Sequence, residues 1–401
     1  MKDMMSEIGD FKPTIAVIRA NDRGNIIISS ISVRDRLIKA CIANSIRKIF
    51  VISPEEDAKA PYPEFANENS GTVEYISSSD KAQNCDREAT LYINDGFLVH
   101  NDFFNDFLKS HARMAKHPTT DNIILSKDNF FDGADISENP NDVIQTEAFD
   151  CIEVNEGNRE QARSRLFKWL TKKTDGMVSI KLNRPVSTFF SKFFADYPIH
   201  PIIFTSLTAI IAAVMTYILI TGGEAGLVWG CLLFHIASIA DGIDGEIARA
   251  KFQSSLRGAK LDTTIDMITN ICFMGGMSYA LWSTYGAAYL TLGIYVVSLA
   301  LSGVLLMTAL LYFGPGGGRF DILSITIRER FSQKQHLLKI FNFCNYFLKR
   351  DAFAFLFAIY GVLGLGKYIP EFLIFGLCIW NLAIILNAKL ILNSKPEPSK
   401  V

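Results

Sequence analysis

The segment from Asp241 to Asp266 reads DGIDGEIARAKFQSSLRGAKLDTTID and places two pairs of aspartates at the ends of two long apolar stretches. A carboxylate within a membrane-spanning helix costs about 2.5–3.5 kcal/mol even on a lenient insertion scale. Four carboxylates so close together therefore need a cation to hold them.

The spacing of the four aspartates predicts where their side chains point. Asp241 and Asp244 are three residues apart, and Asp262 and Asp266 are four apart, so each pair shares one face of a helix. Two neighbouring helices can then direct all four carboxylates to one point. Hard oxygen ligands in this number suit Mg²⁺, Mn²⁺ or Ca²⁺, and Mg²⁺ commonly combines carboxylates with a substrate phosphate. The pattern predicts a metal site that takes a pyrophosphate-containing substrate.

Small and basic residues between the aspartates extend this prediction. Gly245 directly follows Asp244, and Gly258 opens the second helix, where a missing Cβ permits close approach by a ligand. Arg249 stands a little over one turn after Gly245, where its guanidinium could contact a phosphate. The alternative is a structural cluster of salt bridges between the aspartates and nearby arginines and lysines.

Apolar residues are distributed unevenly along the 401-residue chain, of which 49% is hydrophobic. Residues 1–160 are mixed and charge-rich, whereas long apolar runs dominate the remainder. These runs predict an all-α polytopic membrane domain over 197–391 with six transmembrane helices. The predicted spans are about 197–221, 225–249, 259–283, 287–313, 351–366 and 369–391. The seven cysteines have no C-x-x-C spacing and predict neither a zinc site nor a disulfide framework.

Basic residues gather on one side of the predicted spans. The loop between the second and third spans and the segment 314–350 together hold eleven Lys and Arg, against one, Lys367, in the other connections. By the positive-inside rule, the aspartates, both termini and the tail 392–401 face the cytoplasm. The prediction is a multi-pass protein of the inner, cytoplasmic membrane.

Residues 161–196 mix basic residues with six large aromatic residues, as expected of juxtamembrane helices that lie along an anionic lipid surface. An ordinary solvated linker helix is the alternative. Residues 320–349 have a similar composition and predict a second helix at the cytosolic face.

Residues 1–160 predict a cytosolic α/β domain. Apolar β-branched runs at 14–18, 49–53, 73–77, 90–94 and 122–125 are separated by helical patterns at about 33–47 and 102–116. This alternation favours a parallel, three-layer, Rossmann-like sheet. The segment VRDRLIKACIANSIRKIFVIS resembles the nucleotidyltransferase fold, whose Gly-rich basic loop is here replaced by RANDRGNIIISS. The domain is therefore expected to be degenerate, and Asp95 is read as a turn residue in preference to a metal ligand.

The aspartate segment resembles the CDP-alcohol phosphotransferase family, whose signature is D-x2-D-G-x2-A-R-x8-G-x3-D-x3-D. All eight fixed positions are present with every spacing kept: Asp241, Asp244, Gly245, Ala248, Arg249, Gly258, Asp262 and Asp266. The segment KKTDGMVSIKLNRPVS also resembles the stretch before the first span in members fused to a nucleotidyltransferase-like domain. One departure is Pro201-Ile-Ile-Phe-Thr205, where many members have Pro-Asn-x-x-Thr.

The resemblance implies an enzyme of phospholipid synthesis that moves the phosphoryl-linked group of a CDP-alcohol to an acceptor hydroxyl and releases CMP. It implies that Asp241, Asp244, Asp262 and Asp266 bind divalent metal, as two Mg²⁺ or Mn²⁺ ions, with Asp266 also a candidate general base. Nucleotide-binding residues would be Gly245, Ala248, Arg249 and Gly258 together with Asp241 and Asp262. A homodimer in the bilayer is expected, and no nucleic acid partner.

The donor and acceptor are left open by the sequence. CDP-diacylglycerol with a small acceptor such as inositol phosphate or glycerol phosphate would use the same signature as a soluble CDP-alcohol with a lipid acceptor. Basic candidates for an acceptor phosphate are Arg319, Lys349, Arg350 and Lys192. One alternative is a bifunctional enzyme whose N-terminal domain makes the CDP-alcohol. Another is a divalent-cation transporter, which is disfavoured because the acidic residues gather at one membrane face.

Overall fold

The structure is a computed structural model that describes residues 12–52, 72–76, 89–129, 142–147, 150–171, 175–313 and 349–392, with a few isolated positions between 323 and 336. The chain divides into two compact units. Unit 1 contains residues 1–170 with the short segments 195–198 and 250–252, and unit 2 contains residues 171–194, 199–249 and 253–401.

Unit 1 is built on a seven-stranded sheet with two small strand pairs. Its strands are β1 (Ile15–Arg19), β2 (Ile27–Ile28), β3 (Ile31–Ser32), β4 (Lys48–Ile52), β5 (Thr72–Ile76), β6 (Thr90–Asn94), β7 (Phe97–Val99), β8 (Met114–Lys116), β9 (Ile123–Ser126), β10 (Val143–Gln145) and β11 (Cys151–Glu153). The main sheet has the order β10-β8-β9-β6-β1-β4-β5. β1 is an interior strand and pairs in parallel with β4 and β6.

Among the described residues of unit 1, three helices accompany these strands: α1 (Val33–Ala43), α2 (Asn101–Lys109) and α3 (Arg159–Trp169). The central strands are apolar on both faces because both faces are covered, and Ile15 to Ile18 are all buried. Leu37 and Cys41 of α1 and Phe104 and Phe107 of α2 join the larger of the two clusters that flank the sheet.

The sheet is mixed, whereas the strand and helix alternation predicted a parallel one. β9 runs antiparallel to both β6 and β8, and residues 114–116, predicted as the end of a helix, form β8. The segment after β1 folds as a short 3₁₀ turn at Asp22–Asn25 followed by the β2–β3 hairpin. All five predicted strands are present, because short apolar β-branched runs are the pattern of buried strands.

Unit 2 is helical. A π-helical turn at Ser179–Asn183 leads into α4 (Arg184–Phe194), and the long helices follow: α5 (Ile202–Thr221), α6 (Gly223–Ala250), α7 (Leu256–Tyr285), α8 (Ala287–Phe313), α9 (Arg350–Val362) and α10 (Ile369–Leu392). Helix α5 packs on α7, α7 on α8, and α8 on α10. Each of the six predicted spans thus corresponds to a helix.

Four of these helices are long and apolar enough to cross a membrane: α5, α6, α8 and α10. The predicted count of six is not reached by this measure. α9 has only 13 residues, a rise of about 20 Å against a hydrocarbon core of about 30 Å. α7 begins with charged turns that include Asp262 and Asp266 before it becomes apolar.

Aromatic rings form the centre of the helical unit. Phe234 of α6 stacks on Phe273 of α7 with ring centroids 4.1 Å apart, and Phe273 stacks on Phe357 of α9 at 5.7 Å. All three side chains are fully buried. Helix α4, by contrast, leaves Phe189 70% and Phe193 56% exposed.

Candidate active site

Three of the four aspartates of the signature converge. Asp241 of α6 and Asp262 and Asp266 of α7 each offer a carboxylate oxygen within 4.8 Å of the others. The convergence follows from helix geometry, since Asp262 and Asp266 are one turn apart on the face of α7 that meets α6. Three half-buried carboxylates in such a small space repel one another unless a cation balances them.

Arg350 supplies positive charge at this cluster. Its guanidinium Nη1 donates to Asp266 Oδ1 and lies 3.5 Å from Asp241 Oδ1. The side chain is 13% exposed. Among the described residues, the buried Nε and Nη2 of Arg350 have no hydrogen-bond partner. Arg350, the first residue of α9, thus contacts two carboxylates through Nη1, while its Nε and Nη2 remain available as donors.

Asp244 is placed differently from the other three aspartates. It is 5% exposed, and its Oδ2 accepts a hydrogen bond of 2.5 Å from Thr205 Oγ1 while Oδ1 accepts from the Gly245 amide. Thr205, which matches the Thr of the family's Pro-Asn-x-x-Thr pattern, therefore orients Asp244. The missing Asn, at Ile202, does not remove this contact.

Arg249 lies over the glycine that follows Asp244. Its Nη1 is 3.0 Å from the position that a Cβ on Gly245 would occupy, so any larger residue there would displace the guanidinium. Arg249 Nε is buried without a hydrogen-bond partner among the described residues. Gly258 lies in the exposed first turn of α7, where its amide donates to the capping Ser255 Oγ at 3.0 Å. A Cβ at Gly258 would likewise come within 3.1 Å of Ser255 Oγ, so at both positions the missing side chain permits a close polar contact.

Residues 199–384 match the family model described as CDP-alcohol phosphatidyltransferase. This part of the chain belongs to that family. The match includes α5 to α9, most of α10, and all eight residues of the signature.

Three relatives share 120–124 aligned residues with the chain, and each is named bifunctional IPC transferase and DIPP synthase. The proteins of Thermococcus kodakarensis, Aquifex aeolicus and Rubrobacter xylanophilus are 36%, 32% and 34% identical to it. In each case the match covers 30% of this chain and 27% of the relative. The chain thus spans about a quarter of the length of the relatives it matches.

The remaining sequence-predicted site residues of the phosphatidyltransferase domain lie around this centre or outside the described residues. Ala248 is half-buried one turn after Asp244. Lys349 directly precedes α9. Arg319, like most of 314–348 and its predicted cytosolic helix, lies outside the described residues. Two contacts join segments that are distant in sequence: Thr205 with Asp244, and Arg350 with Asp266. The only sequence signal for either was the Pro-x-x-x-Thr pattern that ends at Thr205.

The buried Asp95 of unit 1 belongs to a closed network. Its Oδ2 accepts from Arg34 Nε at 2.7 Å, Oδ1 accepts from the Gly96 amide at 2.8 Å, and Asn21 Nδ2 donates to its backbone carbonyl at 2.8 Å. Gly96 has φ +86°, which marks a turn. Burial raises the pKa of the Asp95 carboxyl, and Arg34 and the backbone amides of Gly96 and Asn21 oppose the shift. The network supports a turn residue held by an arginine.

Replacing Arg34 tests this structural role. We expect Arg34→Met to destabilise unit 1 by about 3–5 kcal/mol, because it leaves a buried carboxylate without its counter-charge. Hydrogen exchange of the β1 and β6 amides in the full chain would measure the loss. The double variant Arg34→Met/Asp95→Asn should regain part of it. Stabilisation of the wild-type β1 and β6 amides by added Mg²⁺ would instead indicate a metal site at Asp95.

Proposed function

We propose that this protein is an integral-membrane, metal-dependent CDP-alcohol phosphotransferase of phospholipid synthesis, which releases CMP. The observation that carries the proposal is the convergence of Asp241, Asp262 and Asp266 within a complete family signature. A salt-bridge cluster alone would not require Gly245 and Gly258 at their fixed positions beside the carboxylates. Phosphoryl transfer requires both the charge and the space.

The residues of the site fit a divalent metal. Three carboxylates from two helices are hard oxygen donors of the kind that Mg²⁺ and Mn²⁺ prefer. Two of them, Asp241 and Asp266, form ion pairs with Arg350. Asp241, Asp262 and Asp266 would hold metal, with Asp244 as the predicted fourth ligand of a two-ion site. Bound metal would neutralise charge on the pyrophosphate and on departing CMP.

The chain's own residues divide the remaining tasks. The Arg249 guanidinium, with a spare buried donor, would bind a phosphate of the CDP-alcohol, and the Cβ-free surface of Gly245 would let the nucleotide approach. Asp266 would take the proton of the acceptor hydroxyl as the new oxygen–phosphorus bond forms and the bond to CMP breaks. Arg350, which contacts Asp266, would bind an anionic group on the acceptor through Nε and Nη2.

The membrane setting follows from the helices and from charge. Four helices long and apolar enough to span a bilayer, and the gathering of Lys and Arg beside the aspartates, support a cytoplasmic active site in the inner membrane. The exposed phenylalanines of α4 support a helix at the lipid surface. A homodimer through the membrane domain is proposed by family resemblance.

The test is product identification. Purified protein in lipid nanodiscs would receive CDP-diacylglycerol or a soluble CDP-alcohol with a panel of acceptors, and mass spectrometry would identify new phosphodiesters. We expect CMP and a phosphodiester in equal amounts, dependent on Mg²⁺ or Mn²⁺. Absence of CMP from every donor and acceptor pair would overturn the proposal.

A bifunctional enzyme is the second candidate, because the relatives are named bifunctional. The Asp95 network argues against a cytidylyl-transfer metal at that carboxylate. The full-length Asp266→Asn variant separates the activities, since it should lack phosphotransfer. Pyrophosphate release from CTP with a phosphoalcohol by that variant would establish a second active site.

A further inference from the structure

Glu246 lies inside the signature at a position that the signature leaves open, between Gly245 and Ala248. It is 2% exposed, although a carboxylate is among the groups least often buried. Its Oε1 accepts from Arg184 Nη1 at 2.6 Å, from Ser187 Oγ at 2.8 Å and from Thr188 Oγ1 at 3.3 Å. All three donors belong to α4, the juxtamembrane helix.

The contact is closely packed on both sides. Arg184 is 13% exposed, and its Nε and Nη2 each lie 2.8 Å from Asp175 Oδ2. Gly242, one turn before Glu246, faces α4: a Cβ there would be 3.2 Å from Ser187 Oγ and 3.4 Å from Arg184 Nη1. The start of α4 is therefore held against the face of α6 that carries Gly242 and Glu246.

This pairing bears on Arg249. Residues three apart on a helix are neighbours, and a Glu that precedes an Arg by three is placed to pair with it. Nevertheless Glu246 Oε1 is taken by α4, while Glu246 Oε2 and Arg249 Nε are both buried and have no hydrogen-bond partner among the described residues. The hydrogen bonds of Glu246 in the described structure thus go to α4 and not to Arg249.

We propose that Arg184 is a positioning residue, which holds Glu246 so that Arg249 stays available to the phosphate of the CDP-alcohol. This rests on the proposed function, since it assumes that Arg249 binds the donor nucleotide. Without Arg184, Glu246 pairs with Arg249 and competes with the substrate phosphate. The loss of substrate binding then comes from the Glu246 carboxylate, so substitution of Glu246 restores binding.

The test uses Arg184→Gln, Glu246→Gln and their double variant in the full-length protein, with Arg47→Gln at an exposed position of unit 1 as the matched control. We expect Arg184→Gln to raise KM for the CDP-alcohol and the Kd for CMP about 10–100-fold, the loss typical of one charge-assisted contact. kcat should stay within about threefold, because Asp241, Asp262 and Asp266 are untouched. The double variant should return within about fivefold of wild type.

Each other outcome overturns the inference. If the double variant is as impaired as Arg184→Gln, Arg184 only holds α4 against α6. If Arg184→Gln leaves KM and Kd unchanged, Arg184 has no role in nucleotide binding. Rescue by Arg184→Gln/Asp175→Asn in place of Glu246→Gln would assign the competing carboxylate to Asp175. CMP binding by isothermal titration separates these failures from failure of the proposed function, in which wild-type protein itself neither binds CMP nor releases it.

Discussion

Asp266→Asn is expected to lower the rate of CMP release by about 10³-fold or more while the protein remains folded. The amide cannot take a proton from the acceptor hydroxyl, and loss of a general base alone typically costs about 10²–10⁴-fold. The amide oxygen can still accept from Arg350, so the helix contact is kept. Initial rates of CMP release in nanodiscs, with thermal unfolding of the same samples, would measure both effects.

The matched control is Glu371→Gln, an acidic residue in the first turn of α10, which should keep wild-type turnover. A pH profile adds a second readout, because removal of the base should flatten the acidic limb of kcat. Turnover by Asp266→Asn within about tenfold of wild type would contradict the assignment of the base.

Arg350→Gln is expected to raise KM for a phosphorylated acceptor about 10–100-fold, with a much smaller effect for an acceptor that lacks a phosphate. The guanidinium is the described cation bound to Asp241 and Asp266, and its two spare donors suit an anion at the same place. Comparing the two acceptor types by steady-state kinetics isolates the phosphate contact from any general damage.

The same substitution also removes the charge that balances the carboxylates when metal is low. We therefore expect Arg350→Gln to bind Mn²⁺ more tightly than wild type, measured by titration of the folded protein. Lys367→Gln, beyond the other end of α9, serves as the control. Equal losses with both acceptor types would indicate that Arg350 only organises Asp241 and Asp266.

Helix periodicity could predict that Asp262 and Asp266 share one face of α7. It also placed Asp244 with Asp241, whereas in the structure Asp244 bonds to Thr205 and only the other three carboxylates converge.

The position of Arg350 could not be predicted, since 84 residues separate it from Asp266 and nothing local couples them. The contact of Glu246 with α4 could not be predicted either. Glu246 is not one of the fixed residues of the signature, and burial against a helix distant in sequence produces no periodic pattern in the sequence.

The N-terminal sheet shows the same division. Apolar runs predicted β1, β4 and β6 because an apolar run of about five residues is typical of a buried strand. The reversal of β9 was not predictable, because strand direction depends on how connections pack and not on strand composition. The helix predicted over 102–116 ends at Lys109, and Met114–Lys116 then pair with neighbouring strands on both sides.

The stack of Phe234, Phe273 and Phe357 has a consequence for the membrane barrier. Phe234 and Phe273 lie two turns from Asp241 and Asp266 along α6 and α7, and together with Phe357 of α9 they form a fully buried stack. The three rings themselves contribute no hydrogen-bonding group, so they offer no relay for water or protons that reach the carboxylate cluster. In the membrane protein proposed above, this apolar layer would hinder ions that reach the carboxylates from passing further along α6 and α7.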